Sequence, residues 1–202
     1  MNTPGPLANI RVVLSHPSHP GNIGAAARAM KTMGLDALYL VNPKRFPDPE
    51  ATARATGASD VLGQARVCAS LEAALSGTVL TAALTARPRD LPHPILNPRD
   101  AAAELVRHAA SHPVALLFGA EMSGLTTEEV IRCQLLVHIP TNPQYASLNL
   151  AAAVQVMTYE LRMAAEAGAA TVQAQPTLAE FEEVERLFEH LERVMLKTGF
   201  LK

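Results

Sequence analysis

Three short segments of the chain combine side chains that can do chemistry with turns that would expose them. They are NIGAAAR (Asn22 to Arg28), LFGAEMSGL (Leu117 to Leu125) and HIPTNPQYASLNLAAAV (His138 to Val154). Each stands where a predicted strand ends and a helix begins. Open α/β sheets place their ligand sites at such junctions, so we expect a ligand site where the segments meet.

The second segment places a carboxylate between two glycines. Gly119 has no side chain, so a ligand can approach the backbone closely, and Gly124 allows a second tight turn before Thr126 begins a helix. The carboxylate of Glu121 can reach into a cleft or hold the loop through backbone N–H groups. A glycine pair alone more often marks an ordinary loop. This segment therefore indicates a ligand site only in combination with the other two.

The third segment passes from prolines to an alanine-rich helix. Pro140 and Pro143 exclude both helix and strand, and a cluster of polar side chains follows them: Gln144, Tyr145, Ser147 and Asn149. The N-terminus of the following helix offers free N–H groups and a partial positive charge suited to an anionic group. Ser147 either caps this helix or contacts a ligand, and one residue can do both.

The first segment lies on a predicted amphipathic helix. Asn22 is a plausible N-cap and Gly34 a plausible C-terminal stop, while Arg28 and Lys31 fall off the apolar face. Just before this helix, His16 and His19 could both reach one metal ion. The surrounding prolines and the absence of a nearby third ligand favour a turn, so no metal site is predicted.

Apolar runs alternate with helical patterns from the start of the chain. Strands are expected at Ile10–Ser15, Leu38–Asn42, Arg66–Ala69, Val79–Leu84, Val114–Phe118 and Leu135–Ile139, and helices at 22–34, Leu71–Leu75, Arg99–Ala110, Thr126–Cys133 and Leu148–Glu166. The strands are continuously apolar, which predicts an α/β fold with a parallel sheet covered by helices on both faces. Residues 1–166 would form this domain, 167–176 a linker, and 177–202 an amphipathic helix that begins with a capping box at Thr177 and Glu180. Its apolar stripe packs on its own domain or completes a dimer interface.

Composition excludes several classes of protein. The chain has 202 residues, 49% of them hydrophobic, and no apolar run reaches the roughly 18 residues of a membrane span. The N-terminus lacks the pattern of a secretory signal, and Cys68 and Cys133 are too few for a disulfide scaffold, so a cytoplasmic location is expected. The net charge of −2 gives no general basic footprint for nucleic acid. Basic residues are nevertheless in excess over residues 1–47, beside the first segment: Arg11, Arg28, Lys31, Lys44 and Arg45 against Asp36.

In this order, the three segments resemble the signature motifs of the SPOUT superfamily of RNA methyltransferases. The similarity is greatest to the TrmH/SpoU branch and its TrmJ-like tRNA ribose 2′-O-methyltransferases, and it runs from about Asn9 to Met163 and more weakly to Phe200. The resemblance implies S-adenosylmethionine-dependent methylation of a ribose 2′-hydroxyl in RNA, with nucleotide 32 of the tRNA anticodon loop as the expected target. It also implies a C-terminal trefoil knot and a homodimer that shares its substrate site between protomers.

The resemblance assigns roles to individual residues. It implies that the cofactor is held by Leu84, Thr85, Ala86, Gly119, Ala120, Glu121, Gly124, Ile139, Ala146, Ser147 and Leu148. It implies catalytic roles for Arg28, Asn22, Ser147 and Asn149, and RNA is expected to meet Arg28, Lys31, His16, His19 and Tyr145. Ala120 replaces the basic residue common in the family, which leaves only backbone contacts there. A guanidinium has no lone pair while charged, so Arg28 is expected to act as a fixed cation that binds a phosphate and stabilises a forming 2′-alkoxide.

Other functions remain open on the sequence. The substrate is ribosomal RNA in one alternative, and in another the chain is an RNA-binding module without catalysis. The third alternative, a dinucleotide-dependent oxidoreductase, has less support, because the first strand–helix turn, HPGNIGAAA, lacks the GxGxxG pattern. TrmJ-like proteins usually continue beyond the equivalent of Phe200 into a basic tail, so this chain is expected to bind RNA more weakly than a tail-extended relative.

Overall fold

A seven-stranded, all-parallel sheet organises the fold, in the order β3-β2-β1-β6-β4-β7-β5. The computed structural model describes residues 5–86, 93–168 and 179–201. The strands are β1 (Ile10–Ser15), β2 (Leu38–Val41), β3 (Arg66–Cys68), β4 (Leu80–Leu84), β5 (Ile95–Leu96), β6 (Val114–Phe118) and β7 (Leu135–Val137). The central strands β1 and β6 are buried almost throughout, which explains why their sequences are continuously apolar.

Helices cover both faces of the sheet. They are α1 (Pro20–Met33), α2 (Pro49–Ala55), α3 (Ser59–Gly63), α4 (Leu71–Leu75), α5 (Pro98–Ala109), α6 (Thr127–Ile131), α7 (Leu150–Gly168) and α8 (Phe181–Lys197), and a single 3-10 turn spans Pro6–Asn9. Helices α1, α2, α3, α5 and α7 share one hydrophobic core with the sheet, and α4, α6 and the start of α8 share the other. The predicted α/β class, with a parallel sheet covered on both faces, is therefore confirmed.

Some predicted boundaries are wrong. Helix α1 begins at Pro20 with His19 as N-cap, so Asn22 lies inside the first turn, whereas Gly34 ends the helix in the left-handed conformation (φ 82°) as expected. Proline suits the first helical position because its missing N–H would have no partner there. Helices α2 and α3 and the two-residue strand β5 were not predicted. Their buried side chains are few or small, as in α2, which buries only Ala51 and Ala55.

The C-terminal helix is fixed to the domain through its first two turns, where Arg132 also pairs with Glu185 (3.4 Å). Phe181 is buried, its N–H donates to the carbonyl of Thr78 (2.8 Å), and both carboxylate oxygens of Glu182 accept from the N–H of Gly77 (3.0 and 2.9 Å). A capping box between Glu180 and Glu183 starts the helix. The predicted capping residue Thr177 and most of the predicted linker lie outside the described residues. The predicted stripe beyond the first turn is largely exposed, including Leu187, Phe188, Leu191 and Val194.

Candidate functional site

A cavity of about 460 Å³ opens at the carboxyl edge of the sheet, where β4, β6 and β7 end. Every residue predicted to hold the cofactor lines it: Leu84, Thr85, Ala86, Gly119, Ala120, Glu121, Gly124, Ile139, Ala146, Ser147 and Leu148. Parallel strands deliver their following loops to the same edge, so segments far apart in the chain meet there. The second segment (117–125) and the third segment (138–154) thus form one cavity with the loop after β4.

The loop after β6 folds back on itself so tightly that glycine is required. Ala120 and Gly124 form an antiparallel bridge, and the N–H of Gly124 donates to the carbonyl of Ala120 (2.8 Å). A Cβ on Gly119 would lie 2.2 Å from the carbonyl carbon of Gly124 and 2.3 Å from the nitrogen of Leu125. Gly124 itself has a φ of 69°, which favours glycine. This loop forms one wall of the cavity with its backbone.

Glu121 connects this loop to the segment before α1. One carboxylate oxygen accepts from the N–H and hydroxyl of Ser18 (2.9 and 2.8 Å). The other accepts from the N–H of His19 (3.1 Å) and the side-chain amide of Asn22 (2.9 Å). Four donors therefore converge on one side chain. Burial by itself raises the pKa of Glu121, but the hydrogen bonds from Asn22 and Ser18 outweigh it and lower the pKa to about 2. The group is a carboxylate at any physiological pH.

The hydrogen-bonded chain continues into the third segment. The side-chain amide of Asn149 donates to the Oδ1 of Asn22 (3.0 Å), and its own Oδ1 accepts from the N–H groups of Ala151 and Ala152 (2.9 and 3.3 Å). Asn149 is thus the cap of α7, the role considered for Ser147, and it occupies N–H groups that were expected to be free for an anion. The three segments (22–28, 117–125 and 138–154) are therefore joined by hydrogen bonds from Asn149 to Asn22 and from Asn22 to Glu121.

Ser147 is one of the polar residues that line the cavity. Among the described residues it makes no hydrogen bond, and it is exposed. The turn before it is fixed by the N–H of Tyr145, which donates to the carbonyl of Asn142 (2.9 Å), and by the hydroxyl of Thr141, which donates to the carbonyl of Ala146 (3.2 Å). Ser147 is therefore a polar group on a fixed backbone that is available to a ligand.

The residues predicted to meet RNA lie outside the cavity lining. Arg28 is exposed on α1 and has no hydrogen bond or ion pair within the described part of the chain. The ammonium of Lys31 is instead occupied by Asp60 (2.8 Å) and the carbonyl of Gly57 (2.9 Å). Tyr145 is 80% exposed. His16 and His19 flank the backbone that Glu121 holds, and the side chain of His16 contacts Ser15, not His19.

Several residues of the site were not predicted from the sequence. The cavity is also lined by Phe118, Met122, Ser123, Leu125, Val137, Thr141, Leu150 and Ala153. Phe118 and Val137 end β6 and β7, so their position at the carboxyl edge was a usable signal. Ser18 and Glu129, which bind the loops to each other, gave no such signal. Within the described ranges, no group of three His, Cys, Asp or Glu could hold a metal ion, and no helix has the length and apolarity of a membrane span.

The lining suits a ligand that is part aromatic and part polar. Its volume falls within the roughly 300–1,000 Å³ of small-molecule sites. Leu84, Ile139 and Leu148 offer apolar walls, while the hydroxyl of Ser147 and the backbone of the 119–124 loop offer polar contacts. S-adenosylmethionine, with its flat adenine and its polar ribose and amino-acid ends, matches this mixture.

Comparison with known proteins gives a consistent result. Residues 9–159 match the model of the SpoU rRNA Methylase family. The chain is 49% identical over 199 residues to the tRNA (cytidine/uridine-2'-O-)-methyltransferase TrmJ of Sodalis glossinidius (strain morsitans), covering 97% of this chain and 78% of that protein.

Two solved structures extend the likeness to the fold. The crystal structure of TrmJ from Z. mobilis ZM4 superimposes with a TM-score of 0.82 at 37% identity, covering 94% of this chain and 81% of that one. The crystal structure of an AdoMet-bound rRNA methyltransferase from Sinorhizobium meliloti gives a TM-score of 0.60 at 26% identity, covering 76% and 56%.

Proposed function

The chain belongs to the SpoU rRNA Methylase family, and from that premise we propose that it transfers the methyl group of S-adenosylmethionine to a ribose 2′-hydroxyl of tRNA. The observation that carries this proposal is the cavity at the carboxyl edge of β4, β6 and β7, lined by both of the segments that resemble cofactor-binding motifs. The similarity to a tRNA 2′-O-methyltransferase over 97% of the chain favours tRNA as the substrate.

The residues around the cavity would bind the cofactor by backbone and apolar contact. Leu84, Ile139 and Leu148 would flank the adenine, and the loop from Gly119 to Gly124 would bind the polar ends through its backbone. Bound there, S-adenosylmethionine would supply a methyl group attached to a sulfonium. The sulfur would leave as a neutral thioether. Because Glu121 already accepts four hydrogen bonds, its role is to hold the cavity wall in place.

As the 2′-oxygen forms its new bond to the methyl carbon, the bond from sulfur to that carbon would break and the hydroxyl proton would pass to solvent water. Ser147 and Asn149 lie on the fixed turn before α7 and are proposed to orient the ribose. Arg28 is proposed to bind a phosphate and to stabilise the negative charge that develops on the 2′-oxygen, since a charged guanidinium cannot act as a base. Tyr145, strongly exposed beside the cavity, would stack on a base of the single-stranded loop.

We propose a homodimer as the active form. Arg28 does not line the cavity of its own chain, although the proposed reaction requires a cation at the ribose. A second protomer would supply it if the two cavities lie near the interface. The exposed apolar stripe of α8 supports association, because a monomer would leave Leu187, Phe188 and Leu191 in water.

We propose that the chain also has the finer organisation of the family. The chain from β7 through the turn at 138–149 is proposed to pass through a loop and so form the trefoil knot, with residues 1–166 as the methyltransferase domain. Residues 177–202 are proposed to act as an appended helix. The proposed site of action is the cytoplasm, where tRNA is found.

The test of the proposal is methyl transfer to a defined RNA. The protein is incubated with tritiated S-adenosylmethionine and a tRNA transcript, and nuclease digestion with mass spectrometry locates the product. We expect a 2′-O-methyl group at nucleotide 32, and no label in a matched transcript that carries 2′-deoxyribose there. Equal labelling of the deoxy transcript would contradict the position. Absence of transfer to every tRNA would contradict the function.

Ribosomal RNA is the second candidate substrate, because the matched family and one structural neighbour are rRNA methylases. The same assay with ribosomal RNA fragments separates the two. Preferential labelling of ribosomal RNA over tRNA would favour this alternative.

A further inference from the structure

A hydrogen-bonded cluster outside the cavity joins the end of β1 to the first turn of α6. The hydroxyl of Ser15 donates to Oε1 of Glu129, and the Ser15 oxygen lies 2.9 Å from Nδ1 of His16. The same carboxylate oxygen is 3.8 Å from Nδ1. None of these three side chains has a role in the cofactor binding or methyl transfer described above.

The single hydroxyl proton of Ser15 determines which ring nitrogen of His16 carries a hydrogen. Ser15 has a single hydroxyl proton, which goes to Glu129, so its oxygen accepts from Nδ1–H of His16. Nδ1 therefore carries a hydrogen, and Nε2 is the nitrogen left for another partner. Within the described residues Nε2 has none. The His16 side chain is 58% exposed, whereas Ser15 is 2% exposed and the Glu129 side chain 13%.

The backbone holds the ring in an unusual place. His16 has a φ of 51°, in the left-handed region that few residues other than glycine adopt, and its N–H donates to the carbonyl of Val41 (2.8 Å). Such conformations persist where the surroundings enforce them, and they concentrate at functional positions.

The cluster is also attached to the wall of the cavity. The second oxygen of Glu129 accepts from the N–H of Thr126 (2.7 Å), directly after the cavity-lining Leu125. On the other side, the N–H of Lys44 donates to the carbonyl of Pro17 (3.0 Å), so the backbone of an exposed cation adjoins His16. Buried Ser15 and partly buried Glu129 thus connect His16 to the backbone beside the cavity, and Pro17 connects it to the backbone of Lys44.

We propose that His16 contacts the RNA backbone, with Ser15 and Glu129 as its positioning residues. The proposal rests on the proposed function and deepens it by naming a substrate contact. With Nδ1–H donated to Ser15, a ring that also carries a proton on Nε2 donates it to a phosphate oxygen near the reacting nucleotide. Glu129 lies on the Nδ1 side of the ring, away from the proposed phosphate.

The experiment compares steady-state methylation of tRNA by wild type, His16→Asn, Ser15→Ala and the double variant. Asparagine tolerates the left-handed backbone and keeps a donor toward Ser15, but it has no group at the position of Nε2. We expect His16→Asn to raise KM for tRNA about five- to tenfold, the effect appearing in KM more than in kcat. Ser15→Ala should raise KM less, and it should add nothing in the His16→Asn background.

Salt dependence identifies the group that is bound. If Nε2 contacts a phosphate, the plot of log affinity for tRNA against log salt becomes shallower by about one in His16→Asn. An unchanged slope, an unchanged KM, or an additive effect of Ser15→Ala in the double variant would overturn the proposal. Ser15→Thr, which retains the hydroxyl, should behave as wild type, and thermal unfolding confirms that each variant folds.

Failure of the proposed function is a separate outcome. If wild type binds S-adenosylmethionine but methylates no RNA, the enzyme assignment fails. The RNA contact is then tested by the tRNA dissociation constants of the same variants, with the same expected ratios.

Discussion

Glu121→Gln should destabilise the protein in a way that depends on pH. The side chain accepts hydrogen bonds from Ser18, His19 and Asn22. In glutamine an NH₂ group replaces one of the two carboxylate oxygens. The two hydrogen bonds that this oxygen accepts would therefore be lost. Asn22 cannot compensate by rotating its amide, because its own oxygen accepts from Asn149.

The magnitude follows from the lowered pKa. A fall from 4.5 to about 2 in the pKa of Glu121 corresponds to about 3 kcal/mol at 1.36 kcal/mol per unit. The carboxylate is only partly buried, and solvent screening reduces the expected loss to about 1–2 kcal/mol in the free energy of unfolding at pH 7. Because the folded-state pKa is depressed, this stability is fully present above pH 4.5 and disappears as the pH falls towards 2.

Urea unfolding at pH 7, 5 and 3 measures the effect. The difference between wild type and Glu121→Gln should be about 1–2 kcal/mol at pH 7 and should shrink at pH 3. Glu189→Gln is the matched control, because Glu189 is exposed on α8 and makes no hydrogen bond to the rest of the described chain. A difference independent of pH, or equal to that of the control, would refute the reasoning.

Three further perturbations test the packing, the assembly and the chemistry. Gly24→Ala should cost roughly 2–4 kcal/mol in urea unfolding, because its Cβ would lie 2.0 Å from the carbonyl oxygen of Ala51. Gly63→Ala, where nothing lies within 4 Å, should cost almost nothing, and equal costs would contradict this account of the α1–α2 contact. Leu191→Glu on the exposed stripe should convert a dimer to a monomer in light scattering, and an unchanged mass would exclude α8 from the interface. Arg28→Lys should reduce methyl transfer about tenfold or more while S-adenosylmethionine binding persists, and near-normal transfer would refute a need for the guanidinium fork.

Much of the fold could be predicted from the sequence because its central strands are apolar on both faces. The predicted bounds of β1 and β6 agree with the structure, as do those of α4. The short helices that follow β2 escaped prediction because alanine gives no strong apolar periodicity. The start of α1 was misplaced because Asn22 has the chemistry of a cap, but proline at position 20 sets the boundary two residues earlier.

The cavity could also be predicted in outline, because glycine and proline turns after apolar strands mark the carboxyl edge of a parallel sheet. The hydrogen bonds that hold the site together could not be predicted. Asn22 meets Glu121 across 99 positions and Asn149 across 127, and Ser15 meets Glu129 across 114. Local spacing contains no information on such pairs. Only the sheet order, which places β6 beside β1, brings these side chains together.

A crystal structure with S-adenosylhomocysteine tests the central claim most directly. We predict that the ligand occupies the cavity between the 119–124 loop and the turn at 145–148, with the backbone of Gly119 and the side chain of Leu148 in contact with it. Binding at another place on the protein, with this cavity left without ligand at saturating concentration, would contradict it.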